Sequence, residues 1–117
     1  DFSPFQLAAS AAQNTREWWL APPHHLNYFD FASLTGLVER LGMNVIERMT
    51  SFPMEAFVMM GENYIDDPVL GRACHTRRKK FDLAMETAGL RTVRRAFYRA
   101  LAEQGIGREA VVIARVP

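Results

Sequence analysis

Five consecutive apolar residues near the C-terminal end, Ala110–Val111–Val112–Ile113–Ala114, set the tightest limit on the fold. They lie in an expected strand from Glu109 to Val116, and a strand of that composition needs cover on both faces and a neighbour on each edge. Only one other stretch is a convincing strand, Met43 to Thr50, with β-branched residues at its centre. Two strands alone are marginal in water. The chain is therefore short of sheet, and the missing strands are expected in a longer parent or in another copy. A first residue of Asp1 rather than methionine agrees with a piece cut from something longer.

The remaining sequence reads as helices and loops. Ser3–Pro4–Phe5–Gln6 is a helix start, with Ser3 as cap, proline at the first position and Gln6 reaching back; that helix is expected to end near Asn14. Asp30 caps a second helix whose Leu34, Leu37, Val38 and Leu41 recur at one-face spacing, with a Phe29–Leu34 staple, and Gly42 ends it. Met54 to Met60 reads as a short apolar helix, and Gly61 to Asp67 as a connector. Asp67–Pro68 opens the longest helix, with Leu70, Ala73, Cys74, Arg77, Phe81, Ala84, Met85 and Ala88 on one side and Gly89 as its stop. Met54, Met59 and Met60 are expected to pack against it. Thr92 caps a last helix with Val93, Ala96, Phe97, Ala100 and Leu101 as its expected buried stripe.

The densest polar and aromatic stretch is the loop from Ala21 to Asp30, holding Pro22, Pro23, His24, His25, Asn27, Tyr28 and Phe29. Chemistry sits preferentially on loops held by rigid elements. Just upstream, Trp18 and Trp19 are adjacent, so in an extended segment they point opposite ways, one toward the core and the other free to line a pocket. A purely structural role for the loop stands beside the functional one, with the histidines bonding backbone and Tyr28 and Phe29 packing.

Charge and cysteine content narrow the function classes. The net charge is +1, yet residues 1–67 hold three Lys/Arg and nine Asp/Glu, whereas residues 68–117 hold eleven and four. Arg77–Lys80 and Arg91–Arg99 thus make two basic helical blocks, which form the alternative reading: a nucleic-acid-binding or oligomerisation module. The near-neutral total and the acidic first half argue against nucleic acid. The only histidines are His24, His25 and His75, with Cys74 beside the last, and they lack metal-ligand spacing, so no metal is expected. One cysteine forms no internal disulfide, no apolar run approaches the ~20 residues of a membrane helix, and no stretch here reads as a basic-then-apolar leader with a cleavage site. A cytoplasmic chain is expected, with no membrane partner.

From His24 to Leu34, and then Leu37–Val38–Glu39–Arg40–Leu41–Gly42–Met43–Asn44–Val45–Ile46, the sequence resembles the "H-x-N-Y-F-s-x-x-S-L-x-x-L-L-x-x-x-G-F-x-V" stretch of class I SAM-dependent methyltransferases. Asp1–Phe2–Ser3–Pro4 is similar to the sequence after strand five of that family, and Glu109 to Val116 to its strand seven. The likeness covers roughly the first 50 residues and the last ten. It implies an α+β piece, mostly helical, with a two-stranded antiparallel sheet formed by strands six and seven of a Rossmann-like methyltransferase. Residues 1–117 would be one C-terminal subdomain, with 52–105 a helical insertion. The resemblance places the His24–Tyr28 loop on the acceptor side of the active site. It implies His24 and His25 as catalytic candidates, Asn27, Tyr28 and Trp19 as substrate-binding ones, and a small-molecule methyl acceptor. The implied assembly is a homodimer through the final strand, or packing on an N-terminal half.

The departure from the family lies in the cofactor half. A complete enzyme carries a glycine-rich loop after its first strand and an acidic residue ending its second. Gly105–Ile106–Gly107 precedes a strand, has no following helix and lacks the third glycine; it is a turn. S-adenosylmethionine is therefore expected as the cofactor of the parent enzyme, with no cofactor-binding residue here and no activity from these residues alone.

Overall fold

The computed structural model describes residues 3–13 and 17–117. The expected helix end at Asn14, and Asp1 and Phe2 of the resemblance, lie outside them. Five helices and two strands run in the order α1 (Pro4–Gln13), α2 (Phe31–Arg40), β1 (Asn44–Met49), α3 (Glu55–Met59), α4 (Pro68–Thr87), α5 (Arg91–Glu103) and β2 (Val111–Arg115). The chain is α+β, with a small antiparallel sheet of β1 and β2.

Local chemistry accounts for most helix ends. At α1 the Ser3 N–H donates to Gln6 Oε1 at 2.8 Å and the Gln6 N–H to Ser3 Oγ at 3.2 Å, a reciprocal capping box. Asp30 and Ser33 make the same exchange at α2. Asp67 Oδ1 accepts from the N–H groups of Val69 and Leu70 at the head of α4, relieving two donors that a helix start otherwise leaves unmet. Thr92 is not a cap: α5 begins one residue earlier, and Leu90 stands at its N-cap without a side-chain bond.

Strand pairing runs Asn44↔Arg115 and Val45↔Ala114, then Glu47↔Ile113, Arg48↔Val112 and Met49↔Val111, so Ile46 is an extra residue in a β-bulge. Helix α2 packs on both strands, and α5 packs on β1. The α5 contact is ionic. Glu47, although in a strand, is 92 % removed from solvent, and Arg95 grips its carboxylate with Nε at 3.0 Å and with its terminal nitrogen, while Arg99 Nε lies at 3.3 Å. Those guanidinium hydrogen bonds hold the Glu47 carboxyl below its ordinary value.

The apolar core lies where α3 meets α4, built on Met54, Phe57 and Cys74 with Phe52, Tyr64 and Leu70 packed around them. Cys74 is fully buried, as its place on the apolar side of α4 implies. An aromatic series continues outward, Phe52 to Phe81 at 5.3 Å, Phe81 to Phe97 at 6.0 Å and Phe97 to Tyr98 at 5.3 Å, linking the segment just before α3 to α4 and α5.

Two expectations about packing are corrected. Met59 and Met60 are exposed, since α3 is under two turns long and spends its buried positions on Phe57 and Val58. On α5, the buried residues are Tyr98 and Ala102, not the Val93–Phe97 stripe, which stays largely exposed. Polar pairing sets this rotation: Tyr98 OH donates to Asp82 Oδ1 at 2.6 Å, and Arg94 meets Glu86 at 3.2 Å.

Candidate functional site

A cleft of about 800 Å³ opens between the aromatic loop, α3 and α4. That volume lies in the range of small-molecule sites. The loop contributes His25, Tyr28 and Phe29, the turn just upstream contributes Trp18 and Trp19, and α1 contributes Gln6. The start of α3 supplies Met54 and Glu55; Tyr64 stands in the connector, and Gly71, Arg72 and His75 lie on the first turns of α4. Arg108, from the turn before β2, completes the lining.

The loop is shaped by its own bonds. The Ala21 N–H donates to Tyr28 Oη at 2.7 Å, and the His25 N–H to the Ala21 carbonyl at 3.0 Å, closing Ala21 to Tyr28 into one unit. Pro22–Pro23, inside it, is a cis peptide. Trp18 and Trp19 meet edge to face with ring centres 4.8 Å apart, in a turn rather than an extended segment, so both line the cleft instead of pointing opposite ways. Of the expected site residues, Trp19, His25 and Tyr28 thus come together on one wall, whereas His24 and Asn27 are exposed and are not part of the lining.

The polar groups that sequence reasoning missed lie on the other elements. Glu55 is 95 % buried, and its Oε2 has no hydrogen-bond partner among the described residues. Burial pushes its carboxyl above the ordinary 4.5, against the opposing pull of its own backbone N–H and of Arg108. A carboxyl that holds its proton more tightly folded than unfolded favours the fold below that ordinary value, and loses this contribution as pH rises through its folded value. Tyr64 is pushed up to about 12, first by burial and then by the negative charge of Glu55, with a hydrogen bond from Trp18 opposing. Arg108 Nη1 lies 3.1 Å from His75 Nδ1. Arginine only donates, so Nδ1 accepts and the ring proton sits on Nε2. Burial and the cations Arg78, Lys79 and Arg108 lower the His75 pKa, leaving it neutral at pH 7. The signal for Glu55 was present in the sequence, as the one charged residue inside the apolar run from Phe52 to Met60.

The basic blocks have other partners. Arg77 pairs with Glu62, Arg91 and Arg94 with Glu86, and Arg95 and Arg99 with Glu47. Among the described residues no group of three or more His, Cys, Asp or Glu is placed to hold a metal ion, and no helix is long and apolar enough to cross a membrane. Compared with known proteins, the chain matches no family model, no curated sequence and no solved structure.

Proposed function

We propose that these residues form the acceptor-side portion of a SAM-dependent methyltransferase, a Rossmann-like enzyme that transfers a methyl group to a small molecule. The observation that carries the reading is the order of parts around the cleft. A histidine-aromatic loop forms one wall and leads directly into a helix and then a strand, which pairs antiparallel with the last strand of the chain. That is the arrangement which the resemblance implies for strands six and seven, with α3, α4 and α5 between them. In such a reaction the protein mainly positions the acceptor, and a nearby base takes its proton. His25 and Tyr28 line the same space, and an imidazole nitrogen can take a proton from an acceptor held there.

The glycine pair before β2 gives the cofactor no cradle. The Gly105–Ile106–Gly107 turn is packed against the protein, with Thr50 filling the space where a Cβ on Gly107 would stand, so it is no cradle for a ligand. S-adenosylmethionine belongs to the parent enzyme in this reading, and titration of it into these 117 residues should give no binding heat. In the full-length enzyme His25→Ala should lower kcat by roughly tenfold or more, within the span of general base contributions. Unchanged kinetics would reduce the loop to scaffold, and a parent sequence with no glycine-rich strand–loop–helix upstream would sink the assignment.

The sheet supports a further strand at β2, which pairs with β1 alone among the described residues. In this reading the free edge takes a strand of the parent enzyme or of a second copy. Sedimentation at high concentration should show self-association of these residues; a strictly monomeric profile counts against the second copy. The alternative of a nucleic-acid module has less to stand on, because Arg77, Arg91, Arg94, Arg95 and Arg99 are engaged with carboxylates of the chain itself.

A further inference from the structure

One group in the cleft takes no part in the chemistry assigned to His25 and Tyr28. Glu55 is 95 % buried, yet its Oε2 faces no donor among the described residues. Buried polar atoms are nearly always hydrogen-bonded, and an unmet one is expensive to keep. A buried acceptor at a cleft lined by side chains of several elements is best accounted for by a donor that arrives with a ligand. The rest of the lining narrows what that ligand is. Trp18, Trp19, Tyr28 and Tyr64 offer aromatic surface to a flat ring. Arg72 and Arg108 add two guanidinium groups, which attract a carboxylate and repel an ammonium.

We propose that the cleft binds a hydroxylated aromatic acid, its hydroxyl donating to Glu55 Oε2, its ring against the tryptophan and tyrosine side chains, and its carboxylate held by Arg72 or Arg108. The proposal rests on the acceptor-site reading for what the ligand is for, and would make such an acid the methyl acceptor. Binding itself needs no cofactor and is measured apart from methyl transfer. A chain that binds the acid but whose parent transfers no methyl group keeps this inference and loses the enzyme reading; the reverse result loses only this inference.

Both tryptophans of the chain line the cleft, so intrinsic tryptophan fluorescence reports on it alone. Titration with 4-hydroxybenzoate should change that signal saturably. Benzoate and 4-methoxybenzoate, which lack the hydroxyl donor, should bind roughly 10- to 100-fold more weakly, the range for losing a hydrogen bond to a charged group. Phenol and tyramine, which lack the carboxylate, should also bind more weakly. Glu55→Gln should erase the preference for 4-hydroxybenzoate over benzoate while leaving the fold intact and no less stable at neutral pH, since it removes a charge whose burial the fold resists. Arg72→Gln or Arg108→Gln should erase the preference over phenol. Equal affinity for the hydroxy and methoxy acids, a stronger response to tyramine, or no saturable change would overturn the proposal. Should Glu55→Gln fail to fold, the ligand series on the unaltered chain still decides.

Discussion

Replacing Gly107 with alanine should lower the unfolding midpoint by roughly 15–30 °C, or leave little folded protein to measure. Two independent costs meet at this residue. Its backbone sits at φ +142°, a conformation that side chains rarely adopt, and holding a non-glycine residue in such a region costs about 1–3 kcal/mol. A Cβ there would also fall on Thr50 Oγ1 and within 2.6 Å and 2.7 Å of that residue's Cβ and Cγ2. Thr50 has little freedom to withdraw, being buried and donating from its hydroxyl to the Glu109 carbonyl at 2.7 Å. Forced overpacking adds about 1–3 kcal/mol more. The sum is large beside the 5–15 kcal/mol that typical domains have in total. Gly105→Ala is the control, because φ is +68° there but the nearest atom to its Cβ is Pro4 Cδ at 4.0 Å. It carries the backbone cost without the collision and should lose only about 1 kcal/mol. Thermal unfolding followed by circular dichroism separates the two, and midpoints lowered equally would show that the collision with Thr50 is not what matters.

Phe57→Ala should destabilise by about 3–4 kcal/mol, as truncation of a buried phenylalanine typically does. Phe57 is 6 % exposed, packs on Phe52 with ring centres 5.6 Å apart, and lies under the Arg77 guanidinium at 5.5 Å. Removing the ring leaves a void between α3 and α4 and takes the aromatic surface from beneath a cation that Glu62 holds in place. Phe57→Leu, which keeps most of the volume, should lose less than half as much. Urea denaturation of the three proteins is the measurement; a Phe57→Ala loss under about 1 kcal/mol would mean that the α3–α4 contact closes around the gap. Because Glu55 stands two residues away on the same short helix, the loss should also loosen the cleft.

What was legible in the sequence was what a few neighbouring residues decide. Ser3–Gln6, Asp30 and Asp67 are caps because an oxygen placed just before a helix meets its own chain's N–H groups, whatever the tertiary fold. The antiparallel pair was implied by the resemblance and is present. The side of α5 that would be buried was not legible. Its apolar residues spread widely enough to allow two rotations about 100° apart, and the choice fell to Asp82 and Glu86 on another helix, which capture Tyr98 and Arg94. Met59 and Met60 were misplaced for a related reason, since hydropathy does not say where a short helix stops. At the cleft, the histidine-aromatic loop was readable as a cluster, and Trp19, His25 and Tyr28 do share a wall. Glu55 stood out only as a lone charge in an apolar run, and its meeting with Tyr64, Arg72, His75 and Arg108 was not readable, because four separate segments deliver these residues and nothing local marks their convergence.

The bulge at Ile46 gives the small sheet a polarity of growth. An edge that carries one residue too many cannot offer an evenly spaced row of donors and acceptors, so β1 is a poor template for a newcomer. On β2 the described pairing leaves a regular five-residue edge, Val111–Arg115. Any enlargement of the sheet is thereby steered to one flank, and mispairing along the other is discouraged before a partner arrives.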